Sequence, residues 1–220
     1  MSALMVYGIV LGVLLAGSAH FLDGGVRALG RPTRGLWIMA MAGVAGAPVL
    51  SRFWVSAPSG TLSSSIPVDL LYQFLAQGAV ERSSPVPASP VLDRPLLFFW
   101  VLSSGLMVLA VLFTSLRLHR TARGWERRTL GNEVVTVSKG LGPAVLGLFR
   151  PIIVLPSWAL SLGREKLDMI LLHEREHRDA RDPALLTLGL LTVAIAPWNP
   201  ALWWMARRLH LAVEGDTSPL

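Results

Sequence analysis

The chain has 220 residues, 52% of them hydrophobic and 15% charged, with a mean hydropathy above zero. Soluble domains carry roughly 25% charged residues, so this composition excludes an ordinary soluble protein as well as disorder, and the length suits one domain or two small ones. The absence of cysteine removes a disulfide scaffold, a thiol nucleophile and thiolate metal sites. The net charge is +6, and of the 20 basic residues all but Lys139 and Lys166 are arginine; their placement decides whether the charge marks nucleic acid or membrane.

Three stretches are free of acidic and basic residues for about the ~20 residues a helix needs to cross a bilayer core. They are 4–22, with His20 inside it; 35–51, which is short and contains Pro48; and 95–116, which falls within LLFFWVLSSGLMVLAVLFTSL and its flanks. The first lacks a basic start and a small-residue cleavage pattern before Asp23, so it reads as a retained span and not a signal peptide. The expected architecture is mainly α and integral to the membrane, with three transmembrane helices in a region 1–116.

The loops orient these helices. Arg27, Arg31 and Arg34 face a single Asp23 in the first loop, and Arg117, Arg120, Arg123, Arg127 and Arg128 follow the third span against Glu126. Between the second and third spans lies the Ser/Pro-rich loop 56–93, where Arg82 and the adjoining Arg94 are cancelled by Asp69, Glu81 and Asp93. The positive-inside rule then places the N-terminus and loop 56–93 outside, and the first loop and segment 117–220 in the cytoplasm. The basic excess is thereby absorbed as a topology signal, and no direct nucleic-acid partner is expected; the bilayer itself is the partner. Within the outer loop, Ile66 to Ala79 reads as a short amphipathic helix with no assignable chemistry.

From Asn132 the pattern changes. NEVVTVS is a β-branched alternation, and GPAVLGLFRPIIVLP reads as two short strands, Ala144 to Leu148 and Ile152 to Leu155, with Arg150-Pro151 at the corner. Pro151 and Pro156 suggest an edge position, because proline cannot donate to a ladder. Composition alone favours a membrane-surface hairpin or plain core strands over a functional role.

SLGREKLDMILLHEREHRDARD follows as a helix, with Ser161 as N-cap and Leu167, Ile170 and Leu171 at helical spacing. It carries His173-Glu174-Arg175-Glu176-His177, an HExxH sequence. Histidines at i and i+4 share one face, so both imidazoles can ligate a single ion. Glu174 is then placed to take a proton from an attacking water, and neutral imidazole suits zinc, whose catalytic sites use three protein ligands. Glu176 points elsewhere and reads as surface. The competing reading is a solvated, charged helix whose histidines share a face by coincidence.

A third ligand is needed. The uncharged stretch from Pro183 to Ala206 resembles a fourth span, but Pro197-Trp198-Asn199-Pro200 interrupts it. Only about 20 Å of continuous helix remains before that break, too short to cross. A full crossing would also put Arg207 and Arg208 outside, against the positive-inside rule. A re-entrant hairpin over 183–213 fits better, with Trp198, Trp203 and Trp204 as interfacial residues, and it returns Glu214 to the side holding His173 and His177. His210, one turn before Glu214, reads as a ligand, an oxyanion stabiliser or a headgroup-facing residue. Asp182 and Asp216 are candidate acceptors for imidazole N–H groups, or else helix caps or surface charges.

The order of these pieces, GPAVLGLFRPIIVLP, then LLHEREHRDARD, then PWNPALWWMARRLHLAVEGD, resembles the membrane zinc metallopeptidases of the BlaR/MecR antirepressor family. The resemblance is specific from Gly142 onward and architectural before it. It implies a gluzincin site with zinc held by His173, His177 and Glu214, and Glu174 as general base. It also implies that the strand pair borders the active-site cleft, where substrate can add as an extended strand. Family members carry a Cys-Asp pair after the glutamate, then more helix and an extracellular sensor; here Glu214 is followed by Gly-Asp-Thr-Ser-Pro-Leu, so a truncated form without the sensor domain is expected. The expected activity is a zinc endopeptidase of the bacterial cytoplasmic membrane acting on a protein substrate, such as a winged-helix transcriptional repressor. The alternatives are a catalytically silent membrane scaffold of the same fold and a housekeeping protease of the Ste/Htp type.

Overall fold

A computed structural model describes residues 2–55, 90–131 and 133–216. Six helices and a four-stranded sheet make up these residues: α1 (Ser2–Ala28), α2 (Arg34–Val55), α3 (Pro90–Arg123), β1 (Glu126–Leu130), β2 (Glu133–Ser138), β3 (Ala144–Leu146), β4 (Ile152–Pro156), α4 (Arg164–Asp179), α5 (Asp182–Ile195) and α6 (Pro200–Asp216). The fold is mainly helical, as expected. Loop residues 56–89, including the amphipathic stretch expected at Ile66 to Ala79, lie outside the described residues.

Among the described residues, two segments are long and apolar enough to cross a bilayer, Leu4–Ala28 in α1 and Asp93–Arg123 in α3. The apolar stretch described in α2, Arg34–Ala47, is shorter, so three spans are not established. Its inner residues belong to a protein core. Trp37, Met41 and Val44 are buried together with Ala16 and Ala19 of α1, Val193 of α5, and Leu202, Met205, Leu209, Ala212 and Val213 of α6. Helix α6 is therefore the centre of a bundle, packed on α1, α2 and α5, while α3 leans on α5 through a hydrogen bond from Trp100 Nε1 to the Ile195 carbonyl at 2.7 Å. Many large apolar side chains of α3, Phe98, Phe99, Leu106, Leu109 and Phe113 among them, are exposed, the pattern of a surface that meets lipid.

The uncharged stretch after Asp182 folds as a helical hairpin, α5 turning into α6 at 196–199. At its tip Asn199 is buried. Its side-chain amide donates to the Gly8 carbonyl of α1 at 2.8 Å, and its carbonyl oxygen accepts the Ala201 N–H at 3.0 Å. At its base Asp216 accepts from the backbone N–H groups of Thr33 and Arg34, at 2.8 and 3.1 Å, where α2 begins. Gly8 and Thr33 lie near opposite ends of α1. The hairpin therefore runs alongside an apolar helix that is itself long enough to span.

The sheet has the order β1-β2-β4-β3, with β2 and β4 parallel and the outer pairs antiparallel. Here the structure corrects several expectations. Glu126–Leu130, whose arginines count in the sequence only toward the basic segment after the third span, forms strand β1, and its exposed charged residues suit an edge. β4 is an inner strand, not an edge. Pro151 precedes it and Pro156 ends it, so neither removes a donor from the middle of the ladder. β3 stops at Leu146 rather than Leu148, because Gly147 turns the chain at φ +113°, where a Cβ would lie 2.6 Å from the Arg150 carbonyl oxygen. Ser161 does not cap α4. It closes a 3-10 turn, Ser157–Ser161, by donating to the Trp158 carbonyl, and the helix starts at Arg164 after Gly163.

Candidate metal centre

Helix α4 docks on the sheet through Leu171, with Leu167 and Ile170 beside it, against Val135, Ile153 and Leu155. The buried stripe does not end there. Leu171, Glu174 and His177 are the buried residues of α4, so the face that anchors the helix continues directly into the HExxH residues. A second attachment fixes its rotation. Glu133, the first residue of β2, bonds Arg178 Nη1 at 2.7 Å and pairs with Arg175 Nε at 3.1 Å. These arginines occupy a motif position and the residue after it, so the sheet grips the helix at the motif itself. The Arg178 hydrogen bond holds the Glu133 carboxyl below its usual range, against the opposing effect of burial.

On the opposite side of α4 from Arg175, the Nε2 atoms of His173 and His177 approach to 3.2 Å, with the rings nearly perpendicular at 84°. Two imidazole nitrogens about 2.0–2.1 Å from one tetrahedral zinc would sit roughly 3.3 Å apart, so this spacing fits a shared ion. Glu214, brought back by α6, completes the group: one ligand atom from each of His173, His177 and Glu214 lies within 4.8 Å of the others. Two neutral nitrogens and a carboxylate oxygen are the donor set of a catalytic zinc site with an open fourth position. The three residues and Glu174 line one cleft of about 360 Å³, together with Pro143, Ala144, Val145, Asp182, Pro183, Leu186 and Val213.

Glu174 is 5% exposed, and burial pushes its carboxyl above the usual range, partly opposed by the two histidines. Asp182 is also buried, and its Oδ2 lies 2.7 Å from His177 Nδ1. A carboxylate only accepts, so Nδ1 carries the hydrogen and the Nε2 lone pair is left for an ion. The turn that allows this contact is tight. Arg181 takes the left-handed conformation, φ 57° and ψ 37°, so that α5 starts at Asp182 immediately after α4 ends. Nothing in the residue type announces that turn.

The other sequence candidates separate. Asp216 does not orient an imidazole; it caps the start of α2 through Thr33 and Arg34. His210 is exposed and borders a different, apolar cleft with Leu186, Gly189, Leu190, Ala206 and Leu209. One residue that the sequence placed only in a basic loop is part of the surroundings: Arg34 Nη1 binds Asp182 Oδ1 at 2.7 Å.

A mainly helical chain with spanning-length apolar segments and a convergent His/His/Glu group has the architecture of a membrane metallopeptidase. The family described as BlaR1 peptidase M56 matches residues 39–215, and the chain belongs to that family. The chain is also similar to the regulatory protein BlaR1 of Bacillus licheniformis, with 24% identity over 155 residues. That alignment covers 62% of this chain but only 25% of the relative, so the chain spans about a quarter of the length of that protein.

Proposed function

We propose that this chain is a zinc-dependent endopeptidase embedded in the bacterial cytoplasmic membrane, cleaving a cytoplasmic or membrane-proximal protein in signalling or transcriptional derepression. The observation that carries this reading is the meeting of His173, His177 and Glu214 beside a buried Glu174. Zinc held by these three residues would polarise a peptide carbonyl and lower the pKa of the attacking water. Glu174, next to His173 and lining the same cleft, accepts the water's proton and delivers it to the departing amine as the peptide bond breaks. Asp182 keeps His177 in the tautomer that presents Nε2.

The cleft also suits an extended substrate. β3 ends the sheet, and its Ala144 and Val145 line the cleft with the ligands. A polypeptide laid along that open edge would pair its backbone with β3 while its carbonyl faces Glu174. The site stands at the base of the helical hairpin, level with the arginine-rich loop between α1 and α2, because Arg34 reaches Asp182. The positive-inside rule assigns that level to the cytoplasm, which supports a cytoplasmic partner such as a winged-helix repressor.

Glu174→Gln tests this directly. The purified chain is expected to cleave a protein substrate in a chelator-sensitive manner, and the variant is expected to lose cleavage while still binding zinc. Chelator-sensitive cleavage by Glu174→Gln would overturn the assignment.

A further inference from the structure

We propose that Arg34 is a positioning residue of the metal centre, through which the membrane helix pair α1–α2 holds both arms of the site. The inference rests on the zinc reading above and goes beyond it, since Arg34 lies before the residues that match the peptidase family.

Arg34 sits in the first turn of α2 and is largely buried, its side chain 18% exposed. Its Nη1 lies 2.7 Å from Oδ1 of Asp182, whose other oxygen receives the N–H of His177. Asp182 therefore stands between a guanidinium and an imidazole in a place nearly closed to water. A buried carboxylate needs both partners, because removing one leaves its charge poorly compensated and free to turn away from the other. Arg34 also faces the second arm. Its backbone N–H and that of Thr33 bind Asp216, two residues beyond Glu214, and its Nε lies 3.7 Å from the same carboxylate. One residue at the start of α2 thus touches the group that orients His177 and the end of the helix that carries Glu214.

A farther contact points the same way. Asp23 of α1, 4% exposed, pairs with Arg208 of α6 at 3.2 Å and accepts from Trp37 Nε1 of α2. Helix α6 is clamped to α1 and α2 above and below the level of Glu214's turn, so it cannot follow a separate path if that pair shifts. A displacement of α1 and α2 would carry α6 and Glu214 with it and pull Arg34 from Asp182 on α5, shifting the two ligand-bearing arms against each other.

The test is zinc affinity, measured on the full chain in nanodiscs by competition with a chromophoric chelator and accompanied by the visible absorption of the cobalt-substituted protein. Arg34→Ala is expected to weaken zinc binding about 10–100-fold, the range seen when a group supporting a ligand is lost, and to alter the cobalt spectrum. Arg31→Ala, an exposed arginine of the same loop, is expected to match the wild type. Arg34→Lys keeps the charge without the forked reach and is expected to restore part of the affinity. Should Arg34→Ala lose its helical circular dichroism, the lysine variant decides, with zinc binding and a cobalt spectrum identical to wild type counting against the proposal. Tight zinc binding by a folded Arg34→Ala overturns the role of Arg34 alone, whereas a wild-type chain that binds no zinc overturns the metallopeptidase reading and this inference with it.

Discussion

His177 and Asp182 face each other across the turn between α4 and α5, with Nδ1 and Oδ2 2.7 Å apart, and this contact decides which imidazole nitrogen is left to bind an ion. Asp182 lies only five positions after His177, yet the two belong to different helices, joined through the left-handed Arg181. Asp182→Asn retains an acceptor oxygen but loses the charge and one of the two equivalent oxygens shared with Arg34. It is expected to lower zinc affinity by about 10–100-fold, measured by chelator competition, with helical content unchanged.

Glu133 gives the attachment of the motif helix a pH dependence of known sign. Its carboxyl is held below the usual range chiefly by the Arg178 hydrogen bond, so the folded state prefers the charged form. The stability it adds is fully present above the ordinary carboxylate range and is lost as pH falls through the lowered folded value. Thermal melts of the wild type and Glu133→Gln are therefore expected to differ at neutral pH and to converge in acid. A constant difference across that range would contradict the role of the carboxylate.

Gly12 permits the hairpin tip to lie close against α1. A Cβ there would meet Asn199 Nδ2 at 3.0 Å and the Ala201 Cβ at 3.1 Å, contacts that leave no room for a larger side chain. Small residues that admit close helix approach are the main means of packing helices in a bilayer. Gly12→Leu is expected to destabilise the protein by about 1–3 kcal/mol, the usual cost of overpacking, and to lower its melting temperature. Gly17→Leu on the same helix has open space around it and is expected to leave the melting temperature near the wild-type value.

The His173/His177 pair of the candidate site is legible in the sequence because it is periodic. His173 and His177 share a face by spacing alone, and the Pro-Trp-Asn-Pro sequence coincides with the break between α5 and α6. The sheet was only partly legible. Val134, Val135 and Val137 announce β2, whereas β1 is formed by Glu126, Arg127 and Arg128, whose charges look like a membrane-flanking tail. Its strand state comes from pairing with β2, a tertiary effect that composition does not carry. The prolines of β4 misled for a related reason: their effect depends on whether they sit inside the ladder or at its ends. Arg34 was hidden most completely. An arginine between two apolar stretches satisfies the positive-inside rule, and its contact with Asp182 spans 148 residues of sequence.

Hairpin α5–α6 brings Glu214 to His173 and His177, and the three residues are expected to form one zinc site. Metal analysis with X-ray absorption spectroscopy of the zinc-loaded chain tests it, comparing the wild type with Glu214→Gln. One zinc per chain, bound by two imidazole nitrogens and a carboxylate oxygen that disappears in the variant as affinity falls, is the expected result. An identical zinc environment and affinity in Glu214→Gln would contradict it.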